Sequence, residues 1–238
     1  MKNHITLIGA CLTAIICTFL FSTAYKSRNT PHGTISVTGL GSKDFTSDLI
    51  VWNGSFARKA MEMKAASDAL AADRTIVQNY FKSKGVSDNE IVFNAVQIDR
   101  DYNYPENGAP IFTGFRLSQR VKVESKEVDK VEALSREITE LINQGIEFTS
   151  EAPAYFYTKL SELKLEMVAE ATKDAKARAE AAAVNAGAGL GKLRNAEMGV
   201  FQITGQNSTE DYSWGGTFNT SSKNKTANIT MTLRYAVY

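Results

Sequence analysis

Thiols and imidazoles are nearly missing from this chain. Its two cysteines, Cys11 and Cys17, both fall inside one apolar stretch near the N-terminus, so the sequence beyond them has neither a disulfide nor a cysteine nucleophile. The two histidines are His4 and His32. That excludes most zinc sites and any Ser-His-Asp apparatus that does without His32. His32, between Pro31 and Gly33, reads as a solvated linker residue. Charge of one sign is lacking as well. The first 24 residues hold one basic residue, Lys2, and no acid, so the rest balances at 26 basic against 26 acidic residues. A neutral chain gives no electrostatic reason to expect nucleic acid as a partner, and none is expected.

What the sequence does have begins with Ile5 to Phe21 (ITLIGACLTAIICTFLF), which carries no charge. As a helix rising ~1.5 Å per residue it reaches ~25 Å, the short end of a bilayer span. Ser22-Thr23-Ala24 supplies small residues where a signal peptidase would cut. Residues 1–24 are therefore read as a membrane anchor or a signal peptide, with membrane contact through residues 5–21 and the remainder exported. Residues 25–33 follow as a polar linker, and residues 34–238 as one domain.

That domain reads as α+β, mainly antiparallel sheets with three helices in the order β-β-α-β-β-α-β-α-β-β. Thr34 to Thr38 opens the first strand, ahead of Gly39 and Gly41, and Leu49 to Ala57 is the second. A helix over about Lys59–Lys84 places Ala65, Ala69, Ala72, Ile76 and Tyr80 on one face and ends at Gly85. Ile91–Asp99 is a strand. Phe115, Leu117, Val121 and Val123 alternate with Arg116, Ser118, Arg120 and Lys122, the period of a strand with one wet face. Val128 to Leu141 forms a second helix stopped at Gly145. Ile146–Tyr157 is extended, with a break or edge at Pro153. The third helix, about Lys159–Ala186, carries a stripe of Ala171, Ala175, Ala179, Ala182 and Ala186 for close packing inside the chain or between subunits. Leu193–Thr204 and Asn228–Val237 are the last strands. The polar loop between them, residues 205–227, is long enough to be functional or disordered. Its Tyr212, Trp214 and Phe218 suggest a partner contact.

Reactive constellations are not evident. Asp99 and Asp101 flank a strand end, Glu210 and Asp211 lie in the loop, and surface solvation explains both pairs. Asp44, Asp48, Glu210 and Asp211 could offer oxygen ligands to calcium but lack any recognised spacing. Gly187, Gly189 and Gly191 superficially suggest a phosphate loop, yet they close a helix where such a loop opens one. Asn53, Asn207, Asn219, Asn224 and Asn228 each begin an Asn-x-Ser/Thr sequon. The expectation is a non-enzyme with no catalytic, cofactor-binding or metal residues.

Three stretches resemble the SIMPL-domain family. Ile35-Ser36-Val37-Thr38-Gly39 is similar to its first strand and glycine. Tyr155 to Leu193, with Ala171, Asp174-Ala175, Arg178-Ala179-Glu180, Gly187 and Leu190-Gly191, resembles its long helix and the following turn. Gly199-Val200-Phe201-Gln202-Ile203 resembles a subset that has an N-terminal apolar segment and is related to outer-membrane channel-forming antigens. The chain departs from that subset in its longer, neutral 205–227 loop. The resemblance implies a bacterial envelope protein, anchored with its domain in the periplasm or else cleaved. It also implies a homo-oligomer, large and channel-like, with a link to oxidative-stress defence. It carries no catalytic residues with it.

Overall fold

The computed structural model describes residues 13–23, 25, 33–106 and 108–238. Among them are four α-helices, one more than expected, with antiparallel sheets in an α+β arrangement. The additional helix, α1, covers residues 13–23 and is exposed throughout. It belongs to the apolar stretch, whose earlier residues lie outside the described ones, as do His4, Cys11 and His32. Among the described residues no helix is long and apolar enough to cross a membrane.

The chain forms two compact units. The larger holds Leu40–Ala171 and Gly199–Thr230; the smaller holds residues up to Gly39, Thr172–Met198 and Met231–Tyr238. Three elements contribute to both: β1 (Thr34–Thr46), α4 (Leu160–Asn185) and β10 (Asn224–Val237).

The larger unit is built on β2 (Leu49–Ala60), which pairs antiparallel with β5 (Ile111–Ser125) on one side. On its other side it pairs with two short strands, β6 (Phe148–Ser150) and β7 (Ala154–Phe156), and the gap between them contains Pro153 as expected. β3 (Ile91–Phe93) and β4 (Gln97–Asn103) both pair with β5, so the single strand expected at Ile91–Asp99 is two. Alternation along β2 turns Ile50, Trp52 and Phe56 inward. Gly54 sits in the same row because a side chain there would collide with the ring of Phe148. Across β5 the inward row is Leu117, Gln119, Val121 and Val123.

Helices α2 (Met63–Ser83) and α3 (Val128–Glu137) contribute to this core. The α2 helix starts four residues later than expected because Lys59 and Ala60 remain paired with Arg116 and Phe115. Its buried face is Ala66, Leu70, Asp73, Val77, Tyr80 and Phe81; of the residues expected on it Tyr80 is buried and Ile76 half-buried, while Ala65, Ala69 and Ala72 are exposed, a shift of one residue along the first turns. Asp73 disguises the pattern, being a charged residue at a core-facing position. The α2 end is as expected. Gly85 takes φ +82°, its N–H bonds to Lys82 O, and Val86 N–H bonds to Phe81 O as Val86 folds into the core. The second helix passes into a 3-10 turn over Ile138–Gln144 before Gly145, at φ +76°.

In the smaller unit β10 is the middle strand. Val237 N–H bonds to Gly33 O on the β1 side, and residues 231–237 pair with β8 (Leu190–Met198) on the other. Helix α4 ends there in a glycine cap, with Gly187 at φ +72°, Gly187 N–H to Val184 O and Ala188 N–H to Ala183 O. The glycines that look like a phosphate loop therefore terminate a helix, and side chains on Gly189 or Gly191 would strike Tyr238 or Ala236. The alanine stripe runs through Ala171, Ala175, Ala179 and Ala183; Ala182 and Ala186, expected in it, are exposed. A strict four-residue step continues from Leu163 and Met167, and that step selects Ala183.

Candidate functional site

The loop of the larger unit is an organised surface. The strand expected at Leu193–Thr204 divides at Gly199–Phe201, and β9 (Gln202–Gly205) pairs antiparallel with the start of β10. Gln202 is the hub of the loop. Its Nε2 donates to Ser213 O at 2.8 Å, and its Oε1 accepts from Thr217 N–H at 2.7 Å. Thr217 and Asn219 then exchange backbone bonds with Ile203, which brings Phe218 alongside that strand. Gly216, at φ +94°, makes the turn that this docking needs.

The base of the loop is pinned by Lys225, which is 1% exposed. Its Nζ donates to Asn219 O at 2.7 Å, Asn219 Oδ1 at 3.3 Å and Ser222 O at 2.5 Å. Glu210 accepts from Gly205 N–H at 2.9 Å and from the Asn219 side-chain amide. Burial pushes the Lys225 ammonium down to about 8, and the nearby Glu210 carboxylate only partly opposes this. Neither Lys225 nor Gln202 stands out in the sequence, because both look like ordinary residues of a polar stretch.

Held this way, Tyr212 and Trp214 form a wall of a cavity of about 420 Å³ that Leu40, Val200, Gln202 and Ile229 also line. Trp214 is 100% exposed, while Tyr212, Val200 and Leu40 are exposed in part. Phe218 lines a neighbouring hollow with Val200, Phe201 and Lys164, whose ammonium stands 5.3 Å from the centre of the Phe201 ring. Of the three aromatics noted in the sequence, the fold thus places two at one cavity and the third at the next. The surroundings are apolar side chains and neutral amides, an arrangement suited to holding an apolar group and poor for acid–base chemistry.

The carboxylates weighed from the sequence do not converge. Asp44 accepts from Gln206 and Thr226, Asp48 accepts from the N–H and hydroxyl of Thr158, and Asp101 is ion-paired with Lys59 and Arg116. Hydrogen bonds from Lys59 and Arg116 hold Asp101 below the usual carboxylate range. Asp99 accepts a long bond from Gln97, at 3.5 Å. Among the described residues no group of three or more acidic, histidine or cysteine side chains is placed to hold a metal.

A second surface lies in the smaller unit. Strand β8 ends the sheet order β1-β10-β8, and among the described residues no strand pairs with its outer edge. On β10, Leu233 is 1% exposed and Met231 and Tyr235 are buried. Their partners on the same face of β8 are bare, with Leu193 opposite Tyr235 at 49% exposed and Met198 opposite Met231 at 64%. An edge that is both unpaired and apolar is one that most folds blunt.

A protein family described as being of unknown function (DUF541), SIMPL, matches residues 35–234, across both surfaces. The chain belongs to the SIMPL family. Over 197 residues it is 27% identical to the 26 kDa periplasmic immunogenic protein of Brucella melitensis, covering 78% of this chain and 76% of that one. The protein of the same description in Brucella abortus matches with the same identity and coverage.

Proposed function

We propose that this SIMPL protein is a non-enzymatic component of a bacterial cell envelope that works by assembling with copies of itself. The observation that carries the reading is the bare edge of β8, where exposed apolar side chains coincide with an edge that no strand among the described residues pairs. A periplasmic site for the domain is supported by the printed description of the Brucella relatives. The uncharged stretch Ile5–Phe21 is proposed to tether it, either kept as an anchor or removed after Ala24. A large channel-like ring is the form that the family resemblance suggests. The non-enzymatic reading is supported by the separate partners of Asp44, Asp48, Asp101 and Glu210. Mass photometry or light scattering on the full chain, extracted from its native membrane fraction, tests the proposal. Discrete multimers are expected, and a strictly monomeric species at high concentration overturns it.

A second reading is favoured by Trp214. An indole fully in solvent beside an apolar cavity suits a module that captures another protein, the form that a stress-protection role would take. Trp214→Ala should remove that capture without altering the fold. Unchanged capture sinks this reading.

A further inference from the structure

We infer that two copies of the chain join β8 to β8, antiparallel, about a two-fold axis passing beside Ala196. The inference rests on the self-association proposed above and names its contact.

The pairing of β8 with β10 fixes which backbone groups are free. Gly199 N–H bonds to Thr230 O at 2.9 Å, so residue 199 turns its polar groups toward β10. Alternation along an antiparallel strand then turns those of Met198 and Ala196 outward. Between Arg234 and Tyr235 the register shifts, because their partners are Asn195 and Leu193. Arg194 is thus an extra residue, and the shift brings Leu193 into the same set as Ala196 and Met198. These three residues share a face with Tyr235, Leu233 and Met231 and present open hydrogen-bonding groups at the edge.

That edge is complementary to itself. A two-fold axis brings the residue at its centre against its own copy, where a charged or bulky side chain would be repelled. Ala196 occupies that position. With Arg194 counted as the bulge, Leu193 falls opposite the second copy's Met198 on the apolar face, and the reverse pair repeats it. On the other face Asn195 falls opposite the second copy's Glu197, an amide against a carboxylate. Asn195 and Glu197 already share one side within a strand, joined at 2.7 Å. Hydrogen-bonding and apolar groups thus each meet their match in one register, which is the reason for naming a second copy as the occupant. Joining the edges continues the sheet from one smaller unit into the next and covers Leu193 and Met198 in both.

Disulfide trapping in the full chain tests this, with Cys11 and Cys17 replaced by Ser. An H-bonded antiparallel pair holds its Cα atoms at about 5.5 Å, within disulfide range. Ala196→Cys is expected to form a dimer under mild oxidation. Asn195→Cys and Glu197→Cys are expected to cross-link when co-expressed and to fail when expressed singly. Met198→Lys should break the assembly at this contact while its far-UV circular dichroism stays unchanged. If Ala196→Cys fails to cross-link in a chain that light scattering shows to be assembled, the β8 contact is wrong and self-association stands. A chain that is monomeric throughout overturns both. A cross-linked product whose mass is not twice that of the chain overturns a second copy as the occupant.

Discussion

A side chain on Gly41 would collide with the carbonyl oxygen of Met167, and its Cβ would lie 3.3 Å from the Cβ of Ala171. In the larger unit β1 therefore lies directly on α4, and glycine is what permits the approach. The obstacle is helix backbone, which cannot rotate away. Gly41→Ala is expected to cost about 1–3 kcal/mol, the usual range for overpacking a close contact. Gly215 supplies the control, since nothing lies within 4 Å of its Cβ position and its φ is not in the left-handed region. Gly215→Ala should leave stability unchanged or slightly raised. Urea denaturation of the two variants beside the parent decides it; equal midpoints for Gly41→Ala and the parent would refute the packing role.

Arg58 and Asp73 form the other specific tie. Arg58 Nε bonds to Asp73 Oδ2 at 2.5 Å and Nη2 to Oδ1 at 2.8 Å, and Nη2 also reaches Gly145 O at 2.9 Å. The hydrogen bonds that it donates to Asp73 raise the guanidinium above its ordinary range. Asp73 is 3% exposed, whereas the Arg58 side chain retains solvent, which weakens the pair relative to a fully buried one. Asp73→Ala is expected to cost about 1.5–3 kcal/mol. Arg58→Ala should cost at least as much, since it also frees the carbonyl that ends the 3-10 turn. A double-mutant cycle should show a coupling above about 0.5 kcal/mol. Independent, additive losses would count against the tie.

Those two contacts also show where the sequence was readable. Strands with clean alternation, such as Phe115–Val123, and helix ends marked by Gly85 and Gly187 could be read directly, because periodicity and left-handed glycine are local signals. Thr34 to Thr38 could be read as the opening of the first strand, but not that β1 runs on through Gly39 and Gly41. The need for glycine at Gly41 arises from Met167 and Ala171 on α4, far along the chain. Asp73 shifted the apparent core face of α2 because its partner Arg58 sits on another element. At the candidate surface, the aromatics Tyr212, Trp214 and Phe218 were visible as oddities in a polar stretch. Their support by Gln202 and Lys225 was not, since a buried amide and a buried ammonium are identified only by the carbonyls around them. The bare edge of β8 was equally hidden, because sheet order is not a local property.

Trp52 and Trp214 are the only tryptophans, at 0% and 100% exposed. Emission should therefore resolve into a buried component and a solvent-exposed one. Acrylamide should quench the exposed part, and Trp214→Phe should abolish it. That substitution removes an exposed ring, so stability should change by no more than about 0.5 kcal/mol. If the aromatic cavity meets a partner or another copy, the exposed component should shift to the blue and lose its quenching as the complex forms. An exposed component that persists fully quenchable in the assembled protein would exclude Trp214 from the contact.

Lys225 sets a pH dependence of definite sign. Its folded-state pKa, pushed down to about 8, lies below the ordinary value of 10.5 that the unfolded chain provides. The unfolded state thus binds the extra proton more readily, and charging Lys225 costs the fold stability. That cost is fully present below pH 8 and is relieved as the pH climbs from about 8 to 10.5. Lys225→Met removes the titration but leaves Asn219 O and Ser222 O without their donor, so it should be less stable than the parent at neutral pH. The parent's advantage over Lys225→Met should then widen between pH 8 and 10.5, which denaturant midpoints at half-unit steps would follow. Proteolysis within residues 206–223 should be faster in the variant, because the same ammonium holds the base of that loop. A difference in stability that stays flat across the window would show that Lys225 keeps an ordinary pKa. Its buried charge would then be fully compensated by the three oxygens that accept from it.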